Sequence, residues 1–110
     1  MKFQHQSLAN GRWQTLSLFE QMANIGSEVS RAISWINKGN KDNSERALVR
    51  ALELLYLTIA VTKKGSQLRE LTRLKELLID YFYGSNEYKS SDELWEKYFY
   101  AFTYAARNKL

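Results

Sequence analysis

The sequence predicts an all-α protein folded as an antiparallel up-down-up-down four-helix bundle. Three observations carry the prediction. Proline is absent, where average usage of about 5% would place roughly five in a chain this long, and its absence suits long uninterrupted helices. Three signals of the form Ser or Asp followed three residues later by Glu precede segments of helical periodicity. Glycines stand where three of those segments run out.

The first helix is expected to open at Ser17, with Glu20 completing an S-x-x-E capping box, and to stop at Gly39 just after Lys38. The second follows "GNKDN", with Asp42 and Glu45 repeating the box, and ends near Lys64 and Gly65. The third runs from Ser66 to Tyr83 and is closed by Gly84. The fourth begins with Ser90 and Glu93 and continues almost to Leu110. Connections this short make sequential helices neighbours, and rods of roughly 17–22 residues at 1.5 Å per residue are about 25–33 Å long. Residues 1–15 read as an N-terminal arm, held by Phe3, Leu8 or Trp13, and residues 16–110 as the bundle.

A chain of 110 residues with 45% hydrophobic content is expected to form one domain with its own core. With no cysteine, disulfides, thiolate metal sites and cysteine nucleophiles are excluded. The longest charge-free apolar run, "LLYLTIAV" at 54–61, falls far short of the ~18 residues of a spanning helix, and the first residues hold no apolar signal segment. The expectation is a cytoplasmic protein with no membrane partner.

Nothing in the sequence assembles a reaction. A di-iron bundle needs Glu-x-x-His on two helices, yet the one histidine, His5, lies in the arm and reads as a solvated residue. "KKGS" at 63–66 lacks the spacing of a phosphate loop, and G-x-S-x-G is absent. No enzymatic activity, metal, cofactor or small-molecule substrate is expected.

The apolar surface is more informative. The first helix carries a core stripe of Leu18, Met22, Ile25, Val29, Ile33 and Ile36, beside a ridge of small residues, Gly26, Ser30 and Ser34. Small residues let another backbone come close, which serves either a neighbouring helix of the same bundle or a second copy of the chain. On the second helix, Leu48, Leu52, Leu55 and Ile59 form one stripe and Ala47, Ala51, Leu54, Thr58 and Val61 another. Val49, Tyr56 and Ala60 form a third, so that only Arg46, Arg50 and Glu53 interrupt the apolar circumference. A helix apolar nearly all round is covered nearly all round, more than one bundle provides. On the fourth helix Leu94, Trp95, Tyr98, Phe99, Phe102, Ala105 and Ala106 point inward, while Tyr100 and Tyr104 lie opposite. Trp35 falls on the polar side of the first helix among Asn24, Glu28 and Arg31. Outward aromatics of this kind suit a protein interface. A homo-oligomer follows as the expectation, its interface drawn from Gly26, Ser30, Ser34, Val49, Tyr56, Ala60, Tyr100 and Tyr104.

The net charge is +4. "KKGSQLRELTRLK" at 63–75 holds Lys63, Lys64, Arg69, Arg73 and Lys75 against Glu70 alone. Lys63, Lys64, Arg69 and Arg73 are therefore candidates to hold RNA or DNA phosphates, with Arg46 and Arg50 on the second helix as a further pair. The opposing reading is a solvated face partly neutralised by Glu76 and Asp80.

The helix lengths, short loops and basic charge resemble the small four-helix-bundle proteins encoded in intervening sequences of 23S ribosomal RNA. They also resemble the related accessory variability proteins of diversity-generating retroelements. "NIGSE" at 24–28 is similar to that family's S-N-I-A-E-G segment, although here it lies mid-helix with no proline before it. The resemblance implies a ring-shaped homopentamer and, for the retroelement members, binding to a reverse transcriptase and nucleic acid through a basic surface. It carries over no individual functional residue. The reading is thus a non-enzymatic homo-oligomeric adaptor for a nucleic-acid-handling partner. The alternatives are a protein-only interaction module whose basic charge serves solubility, and a single bundle paired with a different protein.

Overall fold

The structure, a computed structural model, describes residues 11–108. Among them are a short 3-10 turn at Trp13–Thr15 and four helices, α1 Leu18–Asn37, α2 Lys41–Val61, α3 Gly65–Tyr83 and α4 Asp92–Asn108, with no strand. The all-helical expectation holds at this level.

Each helix end has a local cause. The Ser17 hydroxyl accepts from the Glu20 amide at 3.1 Å, and the Glu20 carboxylate accepts from the Ser17 amide at 3.0 Å, a reciprocal capping box. Gly39, at φ +80°, supplies the left-handed residue that ends α1. The start of α2 departs from expectation: Asn40 rather than Asp42 is the cap, its side chain accepting from the Asn43 amide at 3.0 Å. Asparagine and aspartate cap equally well, so the earlier one in "GNKDN" takes the position and the helix gains two residues. α2 also ends earlier than expected, at Val61, where Thr62 is extended. α3 consequently starts at Gly65 after an extended Lys64, with no side-chain cap. For α4 the cap is Ser91, whose hydroxyl accepts from the Leu94 amide at 3.2 Å. Ser90 is engaged elsewhere, its amide donating to the Asn86 side chain at 2.8 Å.

α1 packs against α2 and α4, while α3 is held mainly by α2. The α1–α2 seam is marked by Arg50 with Glu28 and Ser44 with Ala32, and the turn before α1 joins α2 through Trp13 with Thr58. The α1–α4 seam is marked by Phe19 with Phe102, Ser30 with Glu96 and Asn37 with Asp92. The main core joins Met22, Ile25 and Val29 to Leu54, Leu55, Leu71, Leu74, Leu78, Trp95 and Phe99. A smaller cluster of Ala32, Ala47 and Leu48 sits near the α1–α2 link.

Trp13, assigned to the arm by sequence, belongs to this core: it is buried, and its Nε1 donates to Thr58 Oγ1 at 2.9 Å. Gln21 Nε2 donates to the Trp13 carbonyl at 3.0 Å, which satisfies the turn that a buried indole forces on the backbone. Phe3, His5 and Leu8 lie outside the described residues.

Three placements by helical periodicity are corrected. Ile36, expected in the core stripe, is 40% exposed, and Leu94, expected inward, is 59% exposed. Both sit at the edge of an apolar stripe, and Leu94 borders the side of α4 that α3 leaves open. Glu28, expected on the polar face, is buried at the α1–α2 seam between Arg31 and Arg50.

Candidate functional site

The basic residues separate into two groups. Lys63 and Lys64 lie exposed in the α2–α3 link, and Arg69 and Arg73 lie exposed one turn apart on α3. None of the four forms an ion pair among the described residues; Asp80, expected to neutralise Arg73, instead accepts from the Glu87 and Tyr88 amides at 2.9 and 3.2 Å. The Arg73 guanidinium lies 5.9 Å from the centre of the Tyr88 ring, a cation–π contact that leaves its charge intact.

The Trp13–Thr58 and Phe19–Phe102 contacts bring the start of α1 and the last turns of α4 to this same end. Arg12, just before α1, and Arg107, near the end of α4, are exposed as well.

Arg46 and Arg50 behave differently. Arg46 is exposed, with its Nη1 donating to Asn43 Oδ1 at 2.6 Å. Arg50 is half-buried, and its Nε donates to Glu28 Oε2 at 2.9 Å. The second Glu28 oxygen accepts from Arg31 Nη1 at 2.6 Å. Arg50 thus already has a carboxylate partner, and a phosphate would have to compete with a buried one.

The residues proposed for contacts between copies also divide. Gly26 is buried against α4: a Cβ built on it would stand 2.6 Å from Phe99 Cβ. Ser30 Oγ donates to Glu96 Oε2 at 3.2 Å, while Ser34 is exposed. The ridge thus lets α4 approach α1 within one chain. It also leaves a shallow groove of about 370 Å³ beside exposed Tyr100, lined by Gly26, Ser30 and Thr103. Tyr104 is exposed on the same helix. Trp35 is half-buried under the Lys38 ammonium, 5.2 Å from its ring centre.

On α2, Tyr56 is 59% exposed, Ala60 is exposed and Val49 is half-buried. Helix α3 adds a stripe that sequence reasoning did not single out. Leu68, Ile79 and Tyr83 recur at helical spacing along one side and are 36%, 41% and 54% exposed. This stripe flanks the seam with α2, where Phe82 and Leu52 pack on one cluster. Tyr83 also lies close enough to Glu45 for the carboxylate to help burial raise its phenol pKa. The available signal was the spacing 68, 79, 83, which counts as apolar once a helix is assigned there.

Two tyrosines hold α4 in place. Tyr81 donates its hydroxyl to Asp92, and burial first, then Asp92, pushes its pKa up to about 12. Tyr98 faces Glu70, and burial first, then the Glu70 charge, pushes its pKa up to about 12 as well. Among the described residues no three His, Cys, Asp or Glu side chains converge as a metal site, and no helix is long and apolar enough to cross a membrane. No protein-family model, curated protein or solved structure matches the chain.

Proposed function

We propose that this protein is a non-enzymatic, cytoplasmic, homo-oligomeric adaptor built on an up-down-up-down antiparallel four-helix bundle, with its basic end turned to nucleic acid or to a nucleic-acid enzyme. The carrying observation is the exposed apolar surface of two helices, α2 and α3. Tyr56 stands on one, and Leu68, Ile79 and Tyr83 stand on the other, all exposed in a single chain. Large apolar side chains left exposed in this number favour a surface that another molecule covers. A second copy covers it at the least demand on new surface, because a symmetric contact uses one patch twice. The paired contacts along the α1–α2 and α1–α4 seams support opposite directions for those neighbours.

The basic end supports the second half of the reading. Lys63, Lys64, Arg69 and Arg73 are exposed cations that form no ion pair among the described residues, and Arg12 and Arg107 are further exposed cations. Such a surface suits RNA or DNA phosphates, or a partner such as a reverse transcriptase in the manner of the retroelement proteins that the sequence resembles. A ring of five copies is the assembly that resemblance suggests.

Sedimentation velocity tests the assembly with Tyr56→Lys combined with Ile79→Lys. Both sites are exposed, so the variant should keep its helicity and fall to the single-chain sedimentation coefficient. An unchanged coefficient refutes the assigned face. Fluorescence polarisation with a random single-stranded RNA tests the basic end. Four phosphate contacts predict a log–log salt slope of about −3, from roughly −0.7 per contact. Reversing Arg69 and Arg73 to glutamate should flatten that slope. Binding that never appears favours the protein-only module.

A further inference from the structure

Packing does not close the seam between α3 and α4. A cavity of about 580 Å³ opens there, walled by Leu74 and Leu77 of α3 and by Leu94, Trp95 and Tyr98 of α4. That volume lies within the roughly 300–1,000 Å³ of ordinary ligand pockets, and the mainly apolar wall with a few polar groups is the usual composition. Leu94 is 59% exposed in it, whereas Trp95 beside it is 5% exposed with its Nε1 buried and lacking a hydrogen-bond partner.

The polar groups at the mouth are unbalanced in sign. Glu70 faces the Tyr98 hydroxyl, so its carboxylate has a neighbour inside the protein. Arg73 and Lys97, both lining the cavity, form no ion pair among the described residues. Arg73 lies one turn before Leu77 on α3, and Lys97 lies three residues after Leu94 on α4. Each helix therefore presents one cation next to its groove-facing leucine. An acidic head placed between the two cations would bridge α3 to α4, while an apolar tail below it would cover the exposed leucines.

We propose that the α3–α4 groove is a binding site for an amphipathic organic anion, with its alkyl or aryl body on Leu74, Leu77, Leu94 and Trp95 and its carboxylate between Arg73 and Lys97. The site shares Arg73 with the basic end of the adaptor reading, whereas Lys97 and the apolar wall belong to the groove alone.

Decanoate below its micellar concentration is the probe, titrated into the full chain and followed by amide and methyl NMR. The expected result is saturable shifts at the Trp95 indole N–H and the Leu77 and Leu94 methyls. Decyltrimethylammonium, with the same tail and opposite charge, should not reproduce them. Lys97→Glu and Arg73→Glu should each weaken decanoate binding about fivefold, the order expected of one solvent-flanked charge contact, with helicity unchanged. Lys97 forms no hydrogen bond or ion pair among the described residues, so its variant decides the matter even where Arg73→Glu disturbs Tyr88. Lys63→Glu with Lys64→Glu should leave decanoate binding intact while weakening any RNA binding, which separates the two sites. Absence of saturable shifts overturns the proposal, and so does equal binding of the cationic surfactant.

Discussion

Replacing Gly26 by alanine sets two opposed effects against each other at one atom. In an exposed helix the change would stabilise by about 1 kcal/mol, because glycine is a poor helix former. Here the added Cβ would stand 2.6 Å from Phe99 Cβ, 2.7 Å from Cγ and 2.9 Å from Cδ1. Ordinary carbon contacts are about 3.5–4.0 Å, so α4 must retreat by close to 1 Å. The nearest atom is a Cβ, which no rotamer change can move, so the cost belongs at the upper end of the overpacking range, about 3 kcal/mol. The net is a loss of about 2 kcal/mol, or a fall in Tm of ~8–15 °C for a domain of this size. Two other glycines calibrate the measurement. Gly65, at the first position of α3, has nothing within 4 Å of a built Cβ, so Gly65→Ala should leave Tm unchanged or raise it. Gly39 is equally unobstructed but sits at φ +80°, so Gly39→Ala should cost about 1 kcal/mol through the backbone alone. Differential scanning calorimetry of the three variants checks the series. A Gly26→Ala protein as stable as the parent would refute the close α1–α4 approach, and with it the reading that the small ridge serves this chain's own core.

Removing Arg50 should expose the cost of a buried carboxylate. Because Arg31 still contacts Glu28, Arg50→Ala should lose about 1–2 kcal/mol in urea unfolding, less than for a fully stranded charge. In the loop at 84–91, Asp80 accepts the Glu87 and Tyr88 amides, so Asp80→Ala should speed amide exchange at both positions with little change in global helicity. Alkaline stability follows from the two tyrosines. Folded Tyr81 and Tyr98 hold their protons to about pH 12, whereas an unfolded phenol releases its own near pH 10. The unfolded state therefore binds fewer protons between those values. Stability should be constant below pH 10 and fall as pH rises from 10 to 12, with Tyr98→Phe reducing the fall. Absorbance of the phenolate band during alkaline titration checks the order in which the tyrosines ionise.

How much of this was legible beforehand depended on how local the cause is. The Ser17–Glu20 box and the Gly39 stop are each written within a few residues, and both stand where the pattern placed them. Where two caps of equal strength sit close together, as in "GNKDN" and the Ser90–Ser91 pair, pattern alone cannot rank them. Asn86 decides the second case by engaging Ser90. Helical periodicity identified the middle of each core stripe but not its edges. Leu94 lies beyond the reach of α3, a fact that depends on where another helix packs. The burial of Glu28 was only half visible: Arg31 lies one turn away in sequence, but Arg50 lies on another helix. The ridge of Gly26, Ser30 and Ser34 was legible as small, and its partner was not. The basic run at 63–75 was legible in full.

The assembly rests on exposed Tyr56, Leu68, Ile79 and Tyr83, and its most direct test is the mass of the unmodified protein in solution. Size-exclusion chromatography with light scattering at micromolar concentration should give a whole-number multiple, greater than one, of the 12.9 kDa chain mass. A single species at the mass of one chain across that concentration range would contradict it.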